Sequence, residues 1–557
     1  MLLLFAGPLA PVLTMVTSTL LLTGSLLAFK PPPTAPDPVG PSGVPTAPEE
    51  LGRTKRAQKE LTFYGYFFTR AETTNVSPQN DIFKGQVVGR LFGPNTTSTS
   101  KDRAFFMEQR FIPFFVYEPK LLSRHARVRA SFELDWTYGD VNNSVGGNFG
   151  SGFTADQVNL QTQNLAVEFD IPKHESWYVD VGLQRLYDTA LDPYRTTFEQ
   201  MSLSGTRLNF WGSDAVGITV HGTEWGQKFK LGAYQLYENL IQKDDDVSLF
   251  ELATDRHLGR GVHVGGHVRW LRDTSSGSGG VGVLGQGPGS LLTDYTGSYR
   301  FPIPDDASRY RSNFFWTGAD ASWNPLLTSG RLGGSAYVVG NFGQVATEDP
   351  MQRDKFTRLA KVAGLAANAR VAFRFGRTPR DAIALEGMYT SGDANGITDG
   401  TYSGVITGNT YGAPGALMTS HGAYLLMPHA FVVNRFYAAV TDPSNVGFGM
   451  TAATLNVSYD VVPSKLELKL GGAVARSNIK PIAGENFIGA EVNGRISWRF
   501  RPLVALEAHA AYLSLGKFFE SPEIVTPPDG FDAENPVAGP RPQNPWTAFL
   551  SLRWLMI

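Results

Sequence analysis

The residues best placed to do chemistry are charged side chains at every second position. Lys465, Glu467 and Lys469 alternate with Leu466, Leu468 and Leu470; Glu491, Arg495 and Arg499 alternate with Val492, Ile496, Trp498 and Phe500; Glu507 and His509 alternate with Leu506 and Ala508. The same spacing runs through Arg127, Arg129, Glu133 and Asp135, then through Arg207, Lys228, Lys230, Arg269, Arg370, Arg374 and Glu386. A period of two puts all such charges on one face of an extended chain and the apolar residues on the other. A face rich in both signs can pair across strands, and any excess of cations would focus a field on passing anions.

Other chemistry finds less support. His263 and His267 are four apart, which on a strand separates them by roughly 13 Å, too far to chelate one metal. Asp393 to Gly400 resembles the start of a calcium loop, but Gly404 stands where the twelfth-position Glu is needed, and Asp, Asn and Gly are also ordinary turn residues. No serine pattern beside His221, His267 or His509 marks a nucleophile, so no catalytic site is expected. Cys is 0, which removes disulfides, thiolate metal sites and a cysteine nucleophile. The net charge of −2 argues against a nucleic-acid footprint along the chain. No cofactor and no metal are expected.

These side chains require many strands. From Glu60 onward, runs of alternating polarity fall at 60–70, 103–116, 123–138, 163–171, 205–211, 215–222, 227–237, 262–270, 313–323, 331–342, 368–375, 381–390, 447–460 and 546–556. Together with 177–184 and the three segments between 464 and 512, they make about eighteen. A weaker run at 429–440 is assigned to a long outer loop, 391–446. Short connections are expected at 172–176, 212–214, 324–330, 376–381, 461–464 and 500–502. Long ones are expected at 71–102, 139–162, 187–204, 273–312, 343–361, 477–486 and 517–545. Short turns on one side and long loops on the other are the habit of outer-membrane barrels, which have even strand numbers. The stretch 239–260 breaks the alternation and reads either as a miscount near 205–237 or as a periplasmic plug.

Composition agrees with a membrane barrel. The 557 residues include 60 Gly and 36 Phe, with 12% aromatic and only 18% charged residues, as expected when one face of each strand meets lipid. A sandwich or propeller would also alternate, but no blade-length repeat is present and the long loops are unusual for a compact soluble domain. Residues 1–29 form an apolar, signal-peptide-like segment, a retained anchor being the other option. Residues 30–59 contain eight prolines between Pro31 and Pro48 and read as an extended spacer. The barrel then occupies 60–557. Its last strand keeps one apolar parity through Trp546, Leu550 and Trp554 but ends on Ile557 rather than an aromatic, so it meets only in part the pattern of strands that the barrel-assembly machinery reads.

Four short segments carry a family resemblance: Val181-Gly182-Leu183-Gln184-Arg185, Gly205-Thr206-Arg207-Leu208, Tyr389-Thr390-Ser391-Gly392-Asp393 and Ile488-Gly489-Ala490-Glu491-Val492. They resemble Gram-negative outer-membrane porins, and more narrowly the alginate-export family of eighteen-stranded barrels. The resemblance implies a transmembrane, antiparallel, up-and-down all-β barrel in the outer membrane, with lipid and the assembly machinery as partners. It also implies an Arg/Lys-lined pore for an anionic polysaccharide, from which the Pro-rich spacer and the many interior carboxylates depart. The expected function is a channel for small hydrophilic or anionic solutes. The alternatives are export of an anionic polysaccharide, or a structural or adhesive barrel acting through its outer loops.

Overall fold

In a computed structural model, the described residues are 60–78, 97–122, 125–138, 159–187, 212–238, 241, 243–276, 309–406, 422–427, 440–441, 445–501, 503–525 and 536–556. Among them the chain runs through β1 (Leu61–Pro78), β2 (Thr97–Tyr117), β3 (Ala126–Tyr138), β4 (Asn159–Ile171), β5 (His174–Tyr187), β6 (Gly212–Glu224) and β7 (Gln227–Tyr237). It continues through β8 (Val247–Gly259), β9 (Val262–Asp273), β10 (Tyr310–Trp323), β11 (Leu332–Asp349), β12 (Gln352–Arg374) and β13 (Ala382–Thr390). After the two-residue β14 (Thr401–Tyr402) come β15 (Met450–Val462), β16 (Leu466–Ser477), β17 (Phe487–Arg501), β18 (Val504–Leu515) and β19 (Trp546–Met556).

Setting β14 aside, eighteen strands pair antiparallel with their neighbours, and β1 pairs with β19 from Gly65↔Met556 to Thr74↔Thr547. The sheet is therefore a closed barrel with no free edge, the one sheet arrangement that satisfies every backbone group in a bilayer. None of the described helices is long and apolar enough to cross a membrane.

Burial gives the wall its sides. In β17, Glu491, Asn493 and Ser497 are buried, whereas Val492, Ile496, Trp498 and Phe500 are exposed. This is the reverse of a soluble protein, and the same inversion holds in β16, where Leu470 is 72% exposed and Glu467 is buried. The apolar side chains project outward around the barrel and the polar ones project inside. The chain is a β-barrel of the membrane-spanning type.

Several expectations need correction. The stretch 239–260 is not a plug: 247–259 is β8, hydrogen-bonded to β7 and β9 along its length. The short connection expected at 212–214 is instead the start of β6, and 205–211 lies outside the described residues, as does nearly all of 429–440. The long loop expected at 343–361 is a hairpin: β11 and β12 extend to 18 and 23 residues and turn at 350–351. The first strand also runs past residue 70 to Pro78. The short turns at 324–330, 376–381, 461–464 and 500–502 fall where β10–β11, β12–β13, β15–β16 and β17–β18 are joined.

Candidate functional site: the barrel interior

The interior holds clusters in which carboxylates are shared among cations from neighbouring strands. Glu168 on β4 is held by Arg127 and, at 2.9 Å, by Arg129, both on β3. Arg127 also reaches Glu118 at 2.6 Å. His221 on β6 places Nε2 2.9 Å from Asp180 and 3.7 Å from Glu168. The carboxylate oxygens and imidazole of Glu168, Asp180 and His221 lie within 4.8 Å of one another, a metal-like grouping that strand parity alone could not reveal. Two guanidinium groups already occupy Glu168, so the cluster is better described as an ion-pair network than as a cation site.

Glu251 on β8 forms a second cluster. It is bound by Arg269 of β9 and lies 3.1 Å from the Lys230 ammonium of β7. Thr219 bridges Tyr234 and Gln184 beside it at 2.7 Å each. Arg269 is 1% exposed. Removing a partner from a buried pair leaves the other charge uncompensated, at a cost of about 3–5 kcal/mol. Arg269→Leu is therefore expected to lower the thermal unfolding temperature of the detergent-solubilised barrel. Lys230→Gln, whose partner keeps Arg269, should lower it much less.

Two more clusters lie toward the short-turn end. Glu467 accepts from Arg495, with Arg380 at 3.5 Å and Arg499 at 3.6 Å. Glu507 is bound by Arg553, Ser497 (2.8 Å) and His509 (3.3 Å). Nearby, Arg70 bridges Glu72 at 2.7 Å and Glu108 at 2.6 Å. Charge is thus matched locally: Glu467 is shared by three cations, whereas Arg127 meets three carboxylates, the farthest being Asp170 at 3.9 Å.

The remaining candidates are less concentrated. Glu386 is buried and accepts a 2.8 Å bond from Asn368, and Arg370 stands opposite it in register. Arg374 is buried at the short-turn end of β12, Lys469 faces Arg495 across β16 and β17, and Lys228 is exposed beside Asp255. Lys465 lies in the β15–β16 turn rather than in the wall, and it is exposed. Glu133 and Asp135 lie on β3 opposite Gln161 and Asn159, and Arg207 lies outside the described residues. His263 is beside His257 of β8, with ring centroids 4.5 Å apart, a neighbour invisible until β8 is recognised. The Asp393 carboxylate accepts from the backbone of Asn395 and from Ser403, so it is engaged by its own turn.

The outer half of the interior is different, because residues 405–406 and 422–427, described parts of the chain between β13 and β15, fold into it. Glu491 accepts three backbone N–H bonds, from Tyr424 (2.7 Å), Leu425 (2.9 Å) and Leu426 (2.7 Å). Asn493 donates to the Gly422 carbonyl at 2.8 Å. Trp316 donates to the Ile406 carbonyl at 2.9 Å, and the Ile406 N–H reaches Asn341 at 3.0 Å. Val405, Ile406, Tyr424, Leu425, Leu426 and Met427 are buried in one apolar cluster with Trp316, Tyr337, Val339, Tyr66 and Phe68 of the wall. At the root of this segment Gly449 has φ +58°, and a Cβ there would fall 2.5 Å from the Gly392 nitrogen. Gly449→Ala is expected to destabilise that closure, seen as faster proteolysis within 391–449 and an unchanged wall.

No family model matches the chain, and no curated protein does. Among solved structures it is similar to several proteins of Pseudomonas aeruginosa. OccK1 (OpdK) aligns at 10% identity and TM-score 0.43, covering 89% of this chain and 98% of that one. OccK5 (OpdH) aligns at 11% and 0.41 with the same coverage. OprD aligns at 9% and 0.42, covering 89% and 96%. The likeness is one of architecture.

Proposed function

We propose that this protein is a passive outer-membrane channel for small hydrophilic solutes. The observation that carries the reading is the inverted wall: a closed barrel of eighteen strands, apolar outside, with paired charges along its inside. Barrels of this width leave an aqueous path. Residues 405–406 and 422–427 narrow it from the outer side, which favours small solutes over polymers. Arg127, Arg129, Arg495 and Arg499, each partly exposed, line this path over the buried Arg269, Arg374, Glu386, Glu467, Glu491 and Glu507. Because their charges are matched locally, any preference for anions is modest.

Planar-bilayer recording with purified protein tests the reading. Stepwise ohmic conductance, with a reversal potential slightly toward the anion side in a salt gradient, is the expected result. A sealed barrel, giving no current at any voltage, would overturn it. The narrower resemblance to alginate-export barrels makes an acidic polysaccharide the second reading. Block of the current by oligouronates of increasing length would favour it. Residues 1–29 direct export in this scheme, 30–59 act as a spacer, and β19 is the strand presented to the assembly machinery.

A further inference from the structure

The outward face of β9–β12 changes character along its length. At the short-turn end it carries Trp323 and Phe373, both exposed. Small and apolar residues follow, among them Ala319, Val338 and Val268. At the other end come Trp270, Phe315 and Phe342, with Phe315 and Phe342 exposed. Phe250, Trp270 and Phe315 stack side by side, with centroids 5.0 Å and 6.0 Å apart. Phe315 and Trp323 are eight residues apart on β10, about 26 Å along the strand and about 20 Å along the membrane normal at an ordinary barrel tilt. The two aromatic rows therefore bracket a hydrocarbon-sized band.

Cations stand immediately above the outer row. One pleat higher, register aligns Arg272, Asn313, Gln344 and Lys361 across the four strands. Two pleats higher, Arg311, Ala346 and Arg358 are aligned. Arg311 lies 4.2 Å over the Phe356 ring, which orients its guanidinium. One carboxylate enters this group: Asp244, 2.7 Å from Arg272 and 3.5 Å from Arg311. Among the described residues no ion pair joins Arg358 or Lys361 to a carboxylate, and both are exposed. Higher still, Arg309 is held by Glu348 and Asp354, so the uncompensated charge is confined to a belt just above the aromatic row. These side chains point away from the interior, and so do not act on a solute inside it.

We propose that this face binds a lipid of the outer leaflet whose headgroup carries phosphate. Arg311, Arg358 and Lys361 receive the phosphate oxygens, and the acyl chains lie on Trp270, Phe315 and Phe342. The juxtaposition decides for a lipid over a soluble anion, since cations recognise phosphate in either but only a lipid also covers the aromatic row. The proposal rests on the membrane orientation of the barrel and not on its being an open channel.

The test is native mass spectrometry of the full-length protein in detergent, mixed with diphosphorylated hexa-acyl lipid A or the same lipid without its phosphates. The unsubstituted protein should retain the phosphorylated lipid about tenfold better, and R311A/R358A/K361A should lose that preference, as expected for removal of charge-assisted contacts. Asp244→Asn, which frees Arg272 and Arg311, should increase retention and serves if the triple variant assembles poorly. F315A/F342A should weaken retention of both lipids. Equal retention by the unsubstituted protein and the triple variant, or no response to Asp244→Asn, would overturn the proposal. So would complete displacement of the lipid by millimolar inorganic phosphate, which would mark a soluble-anion site.

Discussion

Glu491→Ala is expected to raise and destabilise the current through the barrel. Its carboxylate is 2% exposed and accepts the N–H groups of three successive residues, Tyr424, Leu425 and Leu426. Bonds to a charged acceptor contribute about 1.5–3 kcal/mol each, and donors left buried without a partner cost about 1–3 kcal/mol apiece. Losing all three outweighs what a single surface contact could restore. The apolar side chains of 424–427 still favour the interior, so the segment should loosen rather than leave. Single-channel recording should show larger steps with frequent transitions between levels. Glu491→Gln retains one carbonyl acceptor and should fall between. Asn493→Ala, which frees the Gly422 carbonyl, should act in the same direction and more weakly. Steps of unchanged size and steadiness in Glu491→Ala would mean that the 422–427 segment does not set the narrowest point.

The second large effect is expected at Leu470→Arg. Leu470 is 72% exposed near the middle of β16, on the face that meets lipid. An arginine at the bilayer midplane of a barrel costs about 2–4 kcal/mol, enough to reduce strongly the folded, heat-modifiable form in outer-membrane fractions. Lys469→Gln, one residue away on the opposite face, should assemble at ordinary yield and shift ion selectivity toward cations. The two readouts separate the faces: gel mobility of unheated samples for the first, reversal potential for the second. Equal yields of the two variants would reverse the assignment of inside and outside.

Which faces are polar, and hence the barrel class, was already legible in the chain. Alternation is a local property: Glu467 and Leu468 must point to opposite sides of any strand that contains them. In β16 to β18 the inward positions nearest the short turns, Glu467, Lys469, Arg495, Ser497, Arg499, Glu507 and His509, carry side chains that seek water or a polar partner, so the pattern is clear there. The short turns at 461–464 and 500–502 could be read for the same reason, because the polarity pattern stops at each.

Tertiary structure decided the rest. β8 was hidden because Val247 and Leu249 point inside yet are apolar and fully buried, while Phe250 and Leu252 on the other face are apolar too. Near the outer end residues 405–406 and 422–427 occupy the interior, so inward side chains there meet Leu, Tyr and Met rather than water. There the physical need for alternation disappears. The hairpin of β11 and β12 extends beyond the lipid band, where neither face needs to be apolar, and its sequence carries charge on both. The partners of Glu168, Glu251 and Glu467 come from positions as far as 87 residues away in the chain, from Arg380 to Glu467. Parity puts such side chains on one face but does not bring them into contact. Charge alternation alone thus determined a wall with a wet side and a lipid side. Only the folded barrel decided that the wet side is charge-matched, and that its outer half is occupied by the chain itself.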